Sequence, residues 1–316
     1  MRLLIILGIF FQNFVFAELP KTALILATGT NAEATSFEIG KSFCALINGK
    51  VSENNVKCIT METTGSLKNI DVVLSSKSNI GIAELSTILS SEKRENLRVI
   101  AKLYTAPLFV LSSKNSDVNS FNDILLQKNI NLGSKESGDN NLAKLIFKEN
   151  GWEKENLLEL RRQDVTSLFC KNGLDVSFLI TKNPSPFVEN ITSKCGAKIV
   201  SLETAFIQKF IEKNKVFSEF TIPANSYANQ PAEIKTIATD VVLFTSKETP
   251  DELVLEILNK IFGDIKKLQS SNITFRDVKI RSFFPKSLLS EPILLHKGAE
   301  KFLKDMEKNE NYSVNK

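Results

Sequence analysis

Three times along the chain a short apolar run breaks into a loop of small polar residues, and each loop feeds a helical pattern. The first run covers 23–27. Thr28-Gly29-Thr30-Asn31 stops it, and from Ser36 the apolar residues Phe37, Ile39, Phe43, Cys44, Leu46 and Ile47 recur at helical steps. The second run, 56–61, passes through Glu62-Thr63-Thr64-Gly65-Ser66 into Leu67, Ile70, Val73 and Leu74. The third, 130–132, passes through Gly133-Ser134-Lys135-Glu136-Ser137-Gly138-Asp139-Asn140 into a helix over 142–150, with Gly151 just beyond its end. Unbroken apolar strands are those buried on both faces, as in parallel sheets. Strands that alternate with helices in this way specify an α/β fold. In such sheets ligands bind beyond the carboxyl ends of the strands, where these three loops would converge. Thr35 or Ser36, Ser66 and Ser137 are suited to cap the helices that follow. Each helix start presents free N–H groups and a positive dipole end to that space, a setting that favours a carboxylate.

Between and after the three units, strands are expected over 79–83, 97–103, 107–111, 176–180 and 198–202, with Tyr104-Thr105-Ala106 separating the second from the third. Helices are expected over 121–125, around 165–169, and over 205–214, 252–268 and 299–306. The neighbourhood changes near 112–117. A β-rich run at 237–246 suits a crossing back into the first unit. The chain of 316 residues is long enough for two medium domains with proper cores.

Residues 1–17 stand apart. Arg2 precedes an apolar run, and Val15-Phe16-Ala17 ends it in the manner of a cleavage site, so the expectation is an exported protein with its leader removed after Ala17. No Cys follows that run to take a lipid. Forty basic residues against 36 acidic ones are scattered rather than blocked, which argues against nucleic acid as a partner. With one histidine, His296, and no closely spaced cysteine pair, a zinc site is not expected. The four cysteines of an exported chain are either buried thiols or disulfides. Cys44–Cys58 and Cys170–Cys195 are the sequence-local pairings.

The chain resembles the TAXI-type solute-binding proteins, the extracytoplasmic receptors of one class of TRAP transporter, from about Lys21 to Met306. The resemblance rests on Thr28-Gly29-Thr30 with Thr35-Ser36-Phe37 and Gly40, on Thr64-Gly65-Ser66 with Asn69, on Ile80-Gly81-Ile82-Ala83, and on Leu103-Tyr104. It continues in Ser137-Gly138, in Gly173 and Asp175 before Phe178, in Ile222-Pro223-Ala224 with Tyr227, and in His296-Lys297-Gly298-Ala299. It implies a two-lobed periplasmic-binding fold of the type II kind, with two mixed or parallel sheets joined by two hinge strands. On that fold, 18–113 and 236–316 form one lobe and 114–235 the other. The implied ligand is a small carboxylate of the glutamate, dicarboxylate or keto-acid kind, which a monomeric receptor delivers to TRAP membrane subunits without a cofactor. The sequence departs from the family pattern in Asn31, Ala32, Glu33 and Ala34 where glycines are usual, in Ser36 and Phe37 for tyrosines, in Glu84 for a Gln and in Asp139 for a Thr. Two extra acids beside the pocket favour a zwitterion over a doubly charged anion.

The residues expected to contact the ligand are Thr30, Asn31, Thr35, Ser36, Phe37, Thr64, Gly65, Ser66, Asn69, Glu84, Tyr104, Ser137, Gly138, Asp139, Asn140 and Thr181. Of these, Ser137 and the first turn after Gly138 are expected to donate to its carboxylate. Ser137 reads as a hydroxyl donor rather than a nucleophile, because a Ser-His-Asp arrangement would need His296, far away in sequence, to reach it. The expectation is therefore a receptor and not an enzyme. Its alternative is an exported immunogenic or adhesive protein that kept the fold without a transport ligand.

Overall fold

The computed structural model describes residues 22–29, 35–49, 56–289 and 294–308. The expected leader over 1–17, and Thr30 and Asn31 of the first loop, lie outside the described residues. β1 (Thr22–Thr28), α1 (Thr35–Gly49), β2 (Val56–Glu62), α2 (Ser66–Leu74) and β3 (Ile80–Glu84) alternate along the chain. The two helical crossovers make β1 parallel to both β2 and β3. β3 is buried from Ile80 to Ala83, as its unbroken apolar run requires. α1 turns Ile39, Phe43, Cys44 and Ile47 inward.

α3 (Leu85–Ser90) leads to β4 (Leu97–Ser112), a single strand of 16 residues where two shorter ones are expected from the sequence. β5 (Ile130–Asn131), α4 (Gly138–Glu149), α5 (Arg162–Cys170), β6 (Val176–Ile180), α6 (Pro186–Cys195), β7 (Lys198–Val200), α7 (Thr204–Lys213) and β8 (Phe217–Ile222) build the second half. β9 (Ile234–Ser246) then returns, and α8 (Asp251–Phe262), α9 (Ile265–Ser271) and α10 (Lys297–Lys308) close the chain. The expected helix over 252–268 is two helices. Gly263 ends α8, and Asp264 caps α9 by accepting from Lys267 N at 3.2 Å.

The strand order β2-β1-β3-β9-β4-β6-β5, with β7 also on β4 and β8 also on β9, is a two-lobed periplasmic-binding fold drawn as one continuous ladder. Both long strands serve both lobes. In β4, residues 97–107 pair with β9, while 108–112 pair with β6. In β9, residues 241–245 pair with β3, while 234–239 pair with β8. Tyr104, Thr105, Ala106 and Pro107 stay in the ladder opposite Val241, Asp240, Thr239 and Ala238. Register shifts at Val99/Ala101 and Lys102/Tyr104 bend the strand without ending it. Small and polar residues there mark the passage between lobes rather than a loop.

Each lobe has an aromatic core. In the first, Phe43 stacks on Phe275 with centroids 5.6 Å apart, and Phe262 meets Phe283 at 4.5 Å, all fully buried. In the second, Trp152 lies 5.0 Å from Phe121 and 5.4 Å from Phe147, and Phe210 lies 5.2 Å from Phe217. Each buried Phe stabilises by about 1.5–3 kcal/mol, and both aromatic groups belong to one continuous cluster of buried residues that runs through the shared strands. Cys44 is joined to Cys58, tying α1 to β2, and Cys170 to Cys195, tying the ends of α5 and α6.

Candidate functional site

A cavity of about 110 Å³ lies between the lobes. The first lobe contributes Gly29, Thr35, Ser36, the Thr64-Gly65-Ser66 turn, Asn69, Ile82, Ala83 and Glu84. The second contributes Ser134, Ser137, Gly138, Asp139, Arg161, Arg162, Gln163, Ile180 and Thr181, and Tyr104 and Val241 come from the two strands the lobes share. All three strand–loop–helix junctions read from the sequence therefore open on one space, at the carboxyl ends of β1, β2 and β5.

The junctions are held by polar contacts that involve several of the expected residues. Gly29 N donates to Ser36 Oγ at 3.1 Å, which pins the end of β1 to the first turn of α1. Asn69 faces the cavity with both its amide nitrogen and its amide oxygen already partnered. Its Nδ2 donates to Ile82 O at 2.7 Å and its Oδ1 accepts from the Thr63 hydroxyl at 2.6 Å. Asn69 positions α2 on β3. Ser137 caps α4, its Oγ accepting from Asn140 N at 3.2 Å while its hydroxyl donates to Ser134 O at 2.7 Å. Asn140 does not line the cavity. Its amide donates to Gly133 O and to Glu159 Oε1, both at 3.1 Å, which braces the loop from behind. Phe37 is not in the lining either; its ring lies 5.1 Å beneath Lys41 Nζ. Thr35, Ser36, Thr64, Gly65, Ser66, Asn69, Glu84, Tyr104, Ser137, Gly138, Asp139 and Thr181 are brought together.

The charged groups give the cavity its character. Asp139, in the first turn of α4, accepts from Ile180 N at 2.6 Å and from Arg162 Nη2 at 3.0 Å. Arg162 starts α5, also donates to Ile180 O at 3.3 Å, and lies over the Phe187 ring at 5.8 Å. Sequence reading missed it because the helix is legible only from Val165 onward; the pair Arg161-Arg162 just before that stripe is the signal that was there. Arg161, also in the lining, pairs with Asp164 at 3.4 Å. Glu84, at the end of β3, presses its carboxylate on Gly138 across the cleft. A Cβ at Gly138 would clash with the Glu84 carboxylate, so a larger residue there would have to push that flexible side chain aside. Thr87 Oγ1 donates to Glu84 Oε2 at 3.4 Å. Burial pushes the Glu84 carboxyl above its ordinary range, with Asp139 adding to the rise and the Ser66 hydroxyl and Arg162 opposing it. Burial likewise raises the Tyr104 phenol, and the neighbouring Glu84 adds to the rise.

The lobes touch around this cavity. Leu67 N donates to Glu136 O at 3.1 Å, Ser134 Oγ to Thr64 O at 3.3 Å, and Asn141 Nδ2 to Ser90 Oγ at 3.1 Å. The Thr64 hydroxyl also meets the Glu136 carboxylate. On another side Lys182 Nζ reaches Thr274 Oγ1 at 3.2 Å. The cavity has the size and polar lining to admit a small polar molecule. It offers the Arg162 guanidinium, several hydroxyls and, in Glu84, a carboxylate that makes no ion pair with a lysine or arginine among the described residues.

A family model described as the NMT1-like family matches residues 26–306. The fold is similar to that of a binding-protein component of an ABC phosphonate transporter from Pseudomonas aeruginosa, with TM-score 0.57, 11% identity, and coverage of 93% of this chain and 97% of that one. It is similar to XAC2383 from Xanthomonas citri bound to ATP, with TM-score 0.55, 10% identity, and coverage of 93% and 98%. It is also similar to the periplasmic binding protein BugD, with TM-score 0.53, 11% identity, and coverage of 94% and 99%. At these identities the likeness is one of fold.

Proposed function

This chain belongs to the NMT1-like family, and from that premise we propose that it is an exported, non-enzymatic solute receptor that captures a small carboxylate-bearing metabolite by closure of its lobes. The observation that carries the reading is the cleft itself, lined by both lobes and spanned by two shared strands. Closing such a cleft desolvates the ligand and adds second-lobe contacts, and the ligand shifts the open–closed equilibrium by its greater affinity for the closed form.

Arg162 is the group for the carboxylate. Nη2 is committed to Asp139 and Ile180 O, which leaves Nε and Nη1 as further donors on a residue that lines the cavity. The resemblance to TAXI receptors, together with the leader-like segment 1–17, supports a periplasmic protein that hands its ligand to TRAP-type membrane subunits. Among the described residues no helix is long and apolar enough to cross a membrane. The division of the chain into 18–113 with 236–316 and 114–235 is part of this proposal; β4 ends at Ser112 and β9 begins at Ile234.

A thermal-shift screen of amino acids, dicarboxylates and keto acids tests the reading. A ligand present at a hundred times its dissociation constant adds about 2.7 kcal/mol of stability. One chemical class should raise the melting temperature. If none does across the set, the receptor reading fails and the alternative of a ligand-free exported protein takes its place.

A further inference from the structure

We propose that the ligand carries a protonated amine and that Glu84 receives it, so that the cleft selects an amino acid over the keto acid or dicarboxylate of the same skeleton. This rests on the receptor reading above and narrows it to one class of ligand.

The argument is a count of charges that face the cavity and of what each already holds. The lining contains two carboxylates, Glu84 and Asp139, and two guanidinium groups, Arg161 and Arg162. Arg161 is paired with Asp164. Asp139 has one oxygen on Arg162 and the other on the Ile180 amide, so its charge is matched and both its oxygens are occupied. Arg162 keeps donors but has its countercharge. Glu84 differs. Among the described residues it has hydroxyl partners, Thr87 and Ser66, but no ion pair with a lysine or arginine. It sits at the end of β3, faced from α4 by Asp139, from β4 by Tyr104 and from α5 by Arg162, and the one positive charge among these is already paired with Asp139.

A carboxylate buried without a cation is costly, and a cation that arrives with the ligand repays that cost. An ammonium fits better than a guanidinium here. It is compact, it has three donors for Glu84 and the neighbouring hydroxyls, and the cavity is small. With the ligand carboxylate on Arg162 and its ammonium on Glu84, each lobe holds one end of the molecule. A single ligand thereby couples to closure through both charges. A second carboxylate at Glu84 would meet like charge, and a keto oxygen there would meet an acceptor.

The test is calorimetry on skeleton-matched triads: an L-amino acid, the 2-oxo acid and the acid with neither group, starting with L-glutamate, 2-oxoglutarate and glutarate, and L-alanine, pyruvate and propionate. Within the triad that binds, the amino acid should bind at least 100-fold more tightly than its partners. Glu84→Gln should remove most of that preference while leaving the weaker members within threefold of wild type. Glu84→Asp, which keeps the charge on a shorter arm, should keep the preference at reduced affinity, and the wild-type triad reads the preference even if a variant folds poorly. An oxo acid or plain acid binding as tightly as the amino acid would overturn the inference while leaving a carboxylate receptor in place. Binding by no member of any triad would overturn the receptor reading and this inference with it.

Discussion

His296 is held neutral by what touches each ring nitrogen. Nε2 lies 3.0 Å from Thr249 O, which can only accept, so Nε2 carries the proton. Nδ1 must then accept, and Gly298 N donates to it at 3.1 Å. A second proton on Nδ1 would set two donors face to face. Burial lowers the pKa from the ordinary 6.5, against the opposing pull of Thr249 and Asp251. A depressed folded value means that the stability His296 contributes is present above 6.5 and is lost as pH falls through the lowered value. The melting temperature of wild type should therefore drop more steeply below pH 6.5 than that of His296→Gln, whose amide does not titrate. Parallel curves would show that the histidine is not the sensor. Glu84 runs the other way. Its folded value is raised, so its contribution is complete below 4.5 and is lost as pH rises through the raised value. Glu84→Gln should melt higher than wild type at neutral pH, and the gap should close below pH 4.5. At this scale the sequence shows residue type but not engagement. Ser66, Ser137 and Gly138 are legible because a loop and a helix start coincide in them. Asn140 is expected in the lining and lies behind it, because an amide before an apolar stripe carries no sign of which groups it will satisfy. Arg162 is invisible because its partner, Asp139, is 23 residues away.

Elements are legible where hydrophobic period and terminal chemistry agree, and misread where they conflict. α4 has both a stripe and the Ser137 cap, and it begins at the cap, at Gly138, ahead of the expected start at Leu142. Residues 252–268 carry one continuous stripe, but Gly263-Asp264 inserts a stop and a new cap that outweigh it. Asp264→Ala should cost about 1 kcal/mol in denaturant unfolding by removing that cap, without altering the cleft. α6 is unreadable from its apolar spacing alone, because Asn183-Pro184-Ser185-Pro186 reads as a loop; yet Ser185 is its N-cap and Pro186 its first residue. α5 and α6 contribute to the smaller apolar cluster of the second half, and the Cys170–Cys195 bridge ties their ends over a separation of 25 residues. A loop of that length constrains the unfolded chain by about 3 kcal/mol. The double variant Cys170→Ala/Cys195→Ala should lose stability of that order in guanidinium, and a loss of under about 1 kcal/mol would show that helix packing alone fixes these ends.

For the whole molecule, the decisive fact is that two strands belong to both lobes. That passage is hard to see in a sequence. Along β4 the small and polar stretch before Pro107 reads as a break, whereas pairing with β9 carries the strand straight through. Thr105 Oγ1 and Lys102 Nζ both bind Asp240 Oδ1 across that ladder, at 2.9 and 2.8 Å, which stiffens it beside the place where a hinge has to bend. Closure itself depends on how near the lobes can come, and Gly65 sets that limit. It lies at φ 145° and ψ −167°, a region essentially reserved for glycine. A Cβ on it would stand 2.7 Å from Ser137 Cα and 2.9 Å from Glu136 O, both on the facing lobe. These are backbone atoms that cannot rotate aside. Gly65→Ala therefore carries two penalties: local strain of about 1–3 kcal/mol in every state, and a steric block felt only when the lobes meet. Gly151 separates them. It has φ +64°, and a Cβ there touches nothing within 4 Å, so Gly151→Ala brings strain without the block. Both variants should melt lower than wild type. Only Gly65→Ala should lose ligand affinity, by tenfold or more, and only it should keep, in small-angle scattering with saturating ligand, the larger radius of gyration of the open form. If Gly65→Ala compacts with ligand as wild type does, the contact between the Thr64-Gly65-Ser66 turn and the start of α4 is not where closure ends, and the cleft has to close on some other face.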